Sequence, residues 1–252
     1  MHTVYTAAMV SAEDIRALRR DKYNDDPDAD MALDITRLEK GEPLAYVIGW
    51  IPFLGLRINL DSHPLIPRPE TEWWTEKLIE HIKEKYGDNE FSFLDLCAGS
   101  GATGLAVLKE FPNAHVAFAE LMPEHCALIC KNIEENGLDM PRASIYENDL
   151  FSSLPKEKYD IIATNPPYVP EGRSLDTSVK DFEPSEALLS GPDGLSHVRR
   201  IAQEAPLYIK KGGELWLECD SEHAETARAL FGEDAQLHID QYGRPRLVVS
   251  YY

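Results

Sequence analysis

Phe91-Ser-Phe-Leu-Asp-Leu-Cys-Ala-Gly-Ser-Gly-Ala-Thr-Gly104 reads as an apolar strand, a glycine-rich turn and the start of a helix. Such a turn lets a ligand approach the backbone closely and meet free N–H groups where the helix begins, although it also serves plain helix–strand packing. Downstream the texture alternates. Strands are expected at Ala114 to Glu120, Ala143 to Tyr146, Tyr159 to Thr164, Glu214 to Cys219 and Arg246 to Tyr251. Helices are expected at Gly101 to Phe111, Pro123 to Asn136, Leu195 to Ile209 (ended by Lys210-Lys-Gly-Gly213) and Glu222 to Phe231. Strands alternating with helices of this length specify an α/β, Rossmann-like fold with a mostly parallel sheet.

Upstream, residues 1–42 read as a small helical region too short for a core of its own. Ser11 is placed to cap one helix and Met31 to Lys40 forms a second. Residues 43–72 come next. Tyr46-Val-Ile-Gly-Trp-Ile and Leu56-Arg-Ile-Asn-Leu, on either side of Pro52-Phe-Leu-Gly55, predict a β-hairpin. The three prolines of His63-Pro-Leu-Ile-Pro-Arg-Pro-Glu-Thr-Glu72 predict a stiff extended loop. The main domain is expected over 73–252, opening with a helix from Trp73 to Tyr86.

The chain has 252 residues, 43% of them hydrophobic, which is enough for a core without disulfides. Its 25 Lys and Arg against 44 Asp and Glu give a net charge of −19, which opposes general attraction to a phosphate backbone. The basic doublets Arg19-Arg20, Arg199-Arg200 and Lys210-Lys211 are scattered. Met1 to Arg20 lacks the basic-then-apolar order of a secretory signal. No apolar run reaches the roughly 18 residues of a membrane span, so a cytoplasmic protein is expected. Cys97, Cys126, Cys130 and Cys219 form no CxxC pair and are expected to be buried, reduced residues without a metal.

Chemistry concentrates at strand ends. Glu120 closes the strand after the glycine turn, roughly 20 residues on, where an acid takes ribose hydroxyls. The turn matches neither GxGxxG nor a P-loop. Asp95 just before it disfavours a pyrophosphate and suits a cationic ligand, for which S-adenosylmethionine fits. Asn165-Pro-Pro-Tyr168 follows the strand ending at Thr164. Two prolines fix the Asn165 side chain and the Pro166 carbonyl, which can accept both N–H bonds of an NH2 group and aim its lone pair at a methyl donor. Tyr168 can pack its ring on a planar group. An Asn-capped Pro-Pro turn is the plain alternative. Asp149 in Asn148-Asp-Leu-Phe151 can accept from an adenine amine, with Leu150 or Phe151 against the ring; a simple turn Asp is the alternative.

These segments, with Glu42-Pro-Leu-Ala-Tyr46, Ile66-Pro-Arg-Pro-Glu-Thr-Glu72, Glu183-Pro-Ser-Glu-Ala-Leu188, Gly191-Pro-Asp-Gly-Leu195 and Gly243-Arg-Pro-Arg246, resemble the HemK/PrmC-type glutamine N-methyltransferases. The likeness runs over nearly the whole chain. Asn-Pro-Pro-Tyr is shared with adenine amino-methyltransferases, whereas Ile-Pro-Arg-Pro-Glu-Thr-Glu is the specific marker. The resemblance implies a seven-stranded class I methyltransferase domain behind the helical region. It implies methyl transfer from S-adenosylmethionine, leaving S-adenosylhomocysteine, to the glutamine of a Gly-Gly-Gln motif in a class I peptide-chain release factor. No metal, no direct nucleic-acid or membrane contact, and a monomer are also expected. By the same resemblance Asn165, Pro166 and Tyr168 are catalytic, and Pro167 joins them in holding the glutamine. Arg68 and Glu70 shape the mouth of the site or form a structural salt bridge. Asp95, Cys97, Ala98, Gly99, Ser100, Gly101, Glu120, Leu121, Asp149, Leu150 and Asn165 line the cofactor.

Four departures from the family pattern stand out. Cys97 replaces the first loop glycine, Glu120 replaces the usual Asp, the N-terminal region that contacts the substrate protein is short, and Cys219 to His223 lacks the usual glycines. Other acceptors for the same chemistry are a ribosomal-protein glutamine and an adenine amine of DNA or RNA. Pro69, a Ser in the ribosomal-protein enzymes, disfavours the first, and the acidic charge disfavours the second. An inactive cofactor- or partner-binding module is a third reading, opposed by the intact Asn165 to Tyr168.

Overall fold

The computed structural model describes residues 10–252 except residue 157, so the first nine residues of the N-terminal segment lie outside the described residues. Ser11 caps α1 (Ala12–Tyr23): its hydroxyl accepts the Asp14 N–H at 3.0 Å, and Asp14 Oδ2 accepts the Ser11 N–H at 2.9 Å. α2 (Ala32–Glu39) and α3 (Leu44–Ile48) pack with α1 around Leu18, Met31, Leu38 and Val47. Buried Asp34 is compensated by Lys22 at 2.7 Å, Arg37 at 3.3 Å and the Tyr23 hydroxyl at 2.7 Å, as a desolvated carboxylate requires.

The hairpin is shorter than expected. Tyr46-Val-Ile belongs to α3, because Pro43 starts a helical turn and Gly49, at φ 95°, ends it. The strands are β1 (Trp50–Phe53) and β2 (Leu56–Asn59), joined by a two-residue turn. The Pro-rich loop also ends earlier than expected. α4 (Pro69–Tyr86) begins at the third proline, since a missing N–H costs nothing in the first helical position.

The main layer alternates as anticipated: β3 (Phe91–Leu96), α5 (Ala102–Glu110), β4 (Ala114–Glu120), α6 (Pro123–Glu135), β5 (Ala143–Glu147), β6 (Tyr159–Thr164), α7 (Thr177–Phe182) and α8 (Ser196–Glu204). It continues through β7 (Ile209–Glu218), α9 (Ala224–Ala229), β8 (Gln236–Ile239) and β9 (Pro245–Tyr251). α8 stops five residues before the expected Ile209. Pro206 has no N–H to continue the ladder, and Lys210-Lys-Gly-Gly213 forms a bulge inside β7 instead of a helix cap. α7 and β8 were not anticipated; both are short and neither has a fully buried residue, so neither carries a clear apolar period.

The seven-stranded sheet has the order β5-β4-β3-β6-β7-β9-β8, parallel except for β9, which is antiparallel to both its neighbours. Alternate residues feed opposite cores. Phe93, Phe118, Ile161, Trp216 and Val249 meet α4, α5 and α6, whereas Leu94, Ala117, Ile162, Leu215 and Val248 meet α8 and α9. This is why the strands read as continuous apolar runs. The chain leaves β3 toward β4 and β5, then returns to β6 on the other side. A crevice therefore opens at the carboxyl ends of β3 and β6.

Gly104 sets how closely α5 lies on the sheet. A Cβ there would collide with the Phe118 ring and come within 3.0 Å of Asp95 Oδ2. Gly104→Ala should therefore destabilise the fold by about 1–3 kcal/mol, read as a lower urea midpoint with unchanged slope.

Candidate active site

Three connected cavities meet at the carboxyl ends of the parallel strands, and Asn165 lines all of them. The first, a cleft of about 670 Å³, is walled by Cys97, Gly99, Glu120, Leu121, Asp149, Leu150 and Pro167. The second lies under the glycine turn, against Asp95, Ala98, Ser100, Thr103 and Thr71 of α4. The third, about 560 Å³, is bounded by Arg68, Pro166, Tyr168, Val169 and Leu188. Most of the residues expected at the site thus converge. Two do not line these cavities. Gly101 caps α5, and Glu70 is held by Arg244 at 2.6 Å, a structural ion pair between the start of α4 and the β8–β9 turn.

Glu120 is only 7% exposed. Its Oε2 accepts the Gly99 N–H at 2.7 Å and its Oε1 the Met122 N–H at 2.9 Å, so the end of β4 is tied to the glycine turn. A carboxylate offers about four lone-pair sites, which leaves acceptor capacity for a pair of hydroxyls. Asp95 is buried beneath the same turn and accepts the Gly104 N–H at 2.8 Å. Burial pushes its carboxyl up to about 8, against the Gly104 hydrogen bond and with help from the negative Glu120. Burial thus favours the neutral form of Asp95, and a cation beside it would favour the carboxylate.

Cys97 and Leu150 adopt left-handed backbone, φ 59° and 52°, where the two loops turn into the cleft. Burial drives the Cys97 thiol far above its usual range, so it stays a neutral wall atom. Cys97, Cys126 and Cys130 are half-buried and only Cys219 is fully buried, so the expectation of four buried thiols is corrected. Among the described residues no cluster of three His, Cys, Asp or Glu is arranged for a metal. Asp149 lies at the rim with its side chain 52% exposed, and Arg200 donates to it at 2.8 Å.

The third cavity has a charged brace. Arg68 donates to Glu183 at 2.7 Å, and the other Glu183 oxygen accepts the Ile66 N–H at 3.2 Å. Arg68 thus lines the third cavity and forms a salt bridge at the same time.

A further buried carboxyl group, Glu218, went unanticipated. Glu218, at the end of β7 and 1% exposed, accepts from the Thr71 hydroxyl and from Trp74 Nε1, each at 2.7 Å, and from the Tyr168 hydroxyl at 3.1 Å. Burial raises its pKa and the donors oppose that rise. Burial first, then the Glu218 charge, raises Tyr168 well above a normal phenol. Thr71 lies within the quoted Pro-rich motif, and Glu218 is an acid at a strand's carboxyl end; those were the available clues. Asn165 Nδ2 donates to Thr71 Oγ1 at 3.1 Å. Asn165 Oδ1 is buried and has no hydrogen-bond partner among the described residues. A buried acceptor left open in this way calls for a ligand donor.

The family described as "Methyltransferase small domain" matches residues 72–238. A release factor glutamine methyltransferase of Geobacter sulfurreducens is 35% identical over 199 residues, 78% of this chain and 67% of that protein. One of Coxiella burnetii is 32% identical over 244 residues, 95% of this chain and 86% of that protein. Among solved structures, a putative methyltransferase complexed with SAH aligns with a TM-score of 0.55 at 14% identity, over 81% of this chain and 55% of that one. A methyltransferase from Pyrococcus furiosus aligns with a TM-score of 0.51 at 14% identity, over 76% and 90% of the two chains. At that identity the structural likeness concerns the fold.

Two outcomes are expected. Glu120→Ala should raise the calorimetric dissociation constant for S-adenosylmethionine about tenfold to a hundredfold, through loss of charged hydrogen bonds. A ligand cation beside Asp95 lowers its pKa from about 8, so binding at pH 7 should release a proton and affinity should rise with pH up to that value. Calorimetry in two buffers of different ionisation heat should detect this release in the wild type and lose it in Asp95→Asn.

Proposed function

The chain belongs to the release factor glutamine methyltransferase family of S-adenosylmethionine-dependent enzymes, and from that premise we propose that its substrate is the Gly-Gly-Gln glutamine of a class I peptide-chain release factor. The product is the glutamine methylated on its side-chain nitrogen. Asn165 Oδ1 supports this reading most directly: it is a buried open acceptor where the three cavities meet. A primary carboxamide brings the matching pair of N–H donors.

S-adenosylmethionine supplies a methyl group on a positively charged sulfur. The first two cavities fit it by the chemistry of their donors. Glu120 has capacity for ribose hydroxyls, Leu121 and Leu150 offer apolar walls for a base, and Asp95 faces the side where an ammonium belongs. The third cavity takes the glutamine side chain, with the Tyr168 ring against its flat face. Asn165 Oδ1 and the Pro166 carbonyl accept its two N–H bonds. An amide lone pair is delocalised and poorly nucleophilic; holding both protons on oxygen acceptors aims that pair and stabilises the positive charge as it develops. An N-alkylated amide cation is a strong acid and gives its proton to water, so no buried base is required. The net charge of −19 suits a protein partner better than a nucleic-acid acceptor, and a cytoplasmic setting goes with that partner.

Incubation with labelled S-adenosylmethionine and separate samples of release factor, ribosomal protein and DNA should label the release factor, with mass spectrometry placing the methyl group on the Gly-Gly-Gln glutamine. Label confined to ribosomal protein or nucleic acid would replace the proposed acceptor. Asn165→Ala should cost about 2.7–4 kcal/mol of transition-state stabilisation, by comparison with loss of one oxyanion-type group, while cofactor affinity stays unchanged.

A further inference from the structure

A carboxamide has two nearly equal-sized ends, and only one way round makes Asn165 useful. With Oδ1 toward the third cavity it accepts; turned over, its NH2 would oppose the NH2 of an incoming amide. Something must decide between the two.

We infer that Thr71 and Glu218 form a positioning relay that fixes the Asn165 carboxamide with its oxygen toward the substrate. Thr71 Oγ1 has one proton. It lies 2.7 Å from Glu218 Oε2 and 3.1 Å from Asn165 Nδ2. The same Oε2 takes the Trp74 N–H, which can only donate, and Oε1 takes the Tyr168 hydroxyl. Because the indole N–H cannot accept, Oε2 is an acceptor here, and a second donor can share it. Thr71 therefore gives its proton to Glu218 and turns a lone pair toward Asn165. An NH2 group satisfies that lone pair and a carbonyl oxygen repels it. Nδ2 is drawn to Thr71, and Oδ1, which has no partner among the described residues, is left for the substrate. The polarity of the site is set two residues away from the acceptor itself.

The relay also explains why α4 enters the site with a hydroxyl. Thr71 and Trp74 stand three apart on one face of the helix, and that face closes over the carboxyl end of β7. Tyr168 completes the ring from the other side, so the residue that packs against the substrate and the residue that accepts from it are anchored to one carboxylate.

The inference rests on the reaction proposed above, and its test separates the two. Thr71→Val keeps the volume and removes the hydroxyl. It should lower kcat for release-factor methylation by roughly tenfold to a hundredfold, the scale of a misplaced catalytic group, with the release-factor KM unchanged and the melting temperature only modestly lowered by loss of one buried donor to Glu218. Thr71→Ser should restore kcat. Thr71→Val should add little in an Asn165→Ala background, because both remove one function. A Thr71→Val enzyme with wild-type kcat, a loss confined to KM or melting temperature, or a Ser variant as impaired as Val would overturn the relay while leaving the methyl transfer intact. The side-chain amide NMR signals of Asn165 in the substrate-free protein give a readout independent of turnover. Thr71→Val should shift them and speed their hydrogen exchange, and Thr71→Ser should not. Unchanged signals in Thr71→Val would end the relay even if the wild type methylated no release factor.

Discussion

The site depends on a carboxyl group that is almost wholly removed from water. Glu218 ends β7 almost wholly buried, and such a group is tolerable only where donors converge on it. Those donors come from the first turns of α4 and from the loop after β6. Satisfying that group therefore brings three distant parts of the chain to one point. Asn165 and Tyr168 sit where they do because that point has to exist. The sheet supplies the platform, and Glu218 supplies the requirement that the loops above it close in one arrangement.

Much of the architecture was legible from periodicity and punctuation. Glycine turns and apolar runs marked β3, β4 and β6 to within a residue or two, because both faces of a parallel sheet are buried and the signal is strong. Legibility failed where a local rule had two uses. Lys210-Lys-Gly-Gly213 has the composition of a helix end, yet Pro206 had already ended α8 and the glycines serve a bulge. Three prolines suggested a continuous loop, although the third is well suited to open a helix. At the site, residues that announce chemistry in a short motif were visible: the glycine turn, Glu120, and Asn165 to Tyr168. Glu218 was invisible because its meaning lies in contacts with residues 50 to 147 positions away, which no local pattern encodes.

The departures from the family pattern acquire physical content. Cys97 stands where a glycine is usual and still takes left-handed backbone at φ 59°. Such a conformation in a residue with a Cβ costs of order 1–3 kcal/mol and persists because the surrounding turn imposes it. Ala98 and Gly101 close that turn with a 2.7 Å backbone hydrogen bond, and Glu120 fastens Gly99 from the side. Leu150, at φ 52° across the same cleft, is held comparably by Asn148, whose amide donates to the Leu150 carbonyl and whose oxygen accepts the Ser153 N–H at 2.7 Å.

One more side chain carries weight beyond its size. Asn132 of α6, fully buried, accepts from the Asn59 backbone and side chain at 2.8 and 2.9 Å and donates to the Ser100 carbonyl at 3.0 Å. The β-hairpin and the glycine turn thus share a single rivet. A shift of α6 would strain both attachments at once, so one helix side chain couples the seating of the ribbon to the shape of the glycine turn.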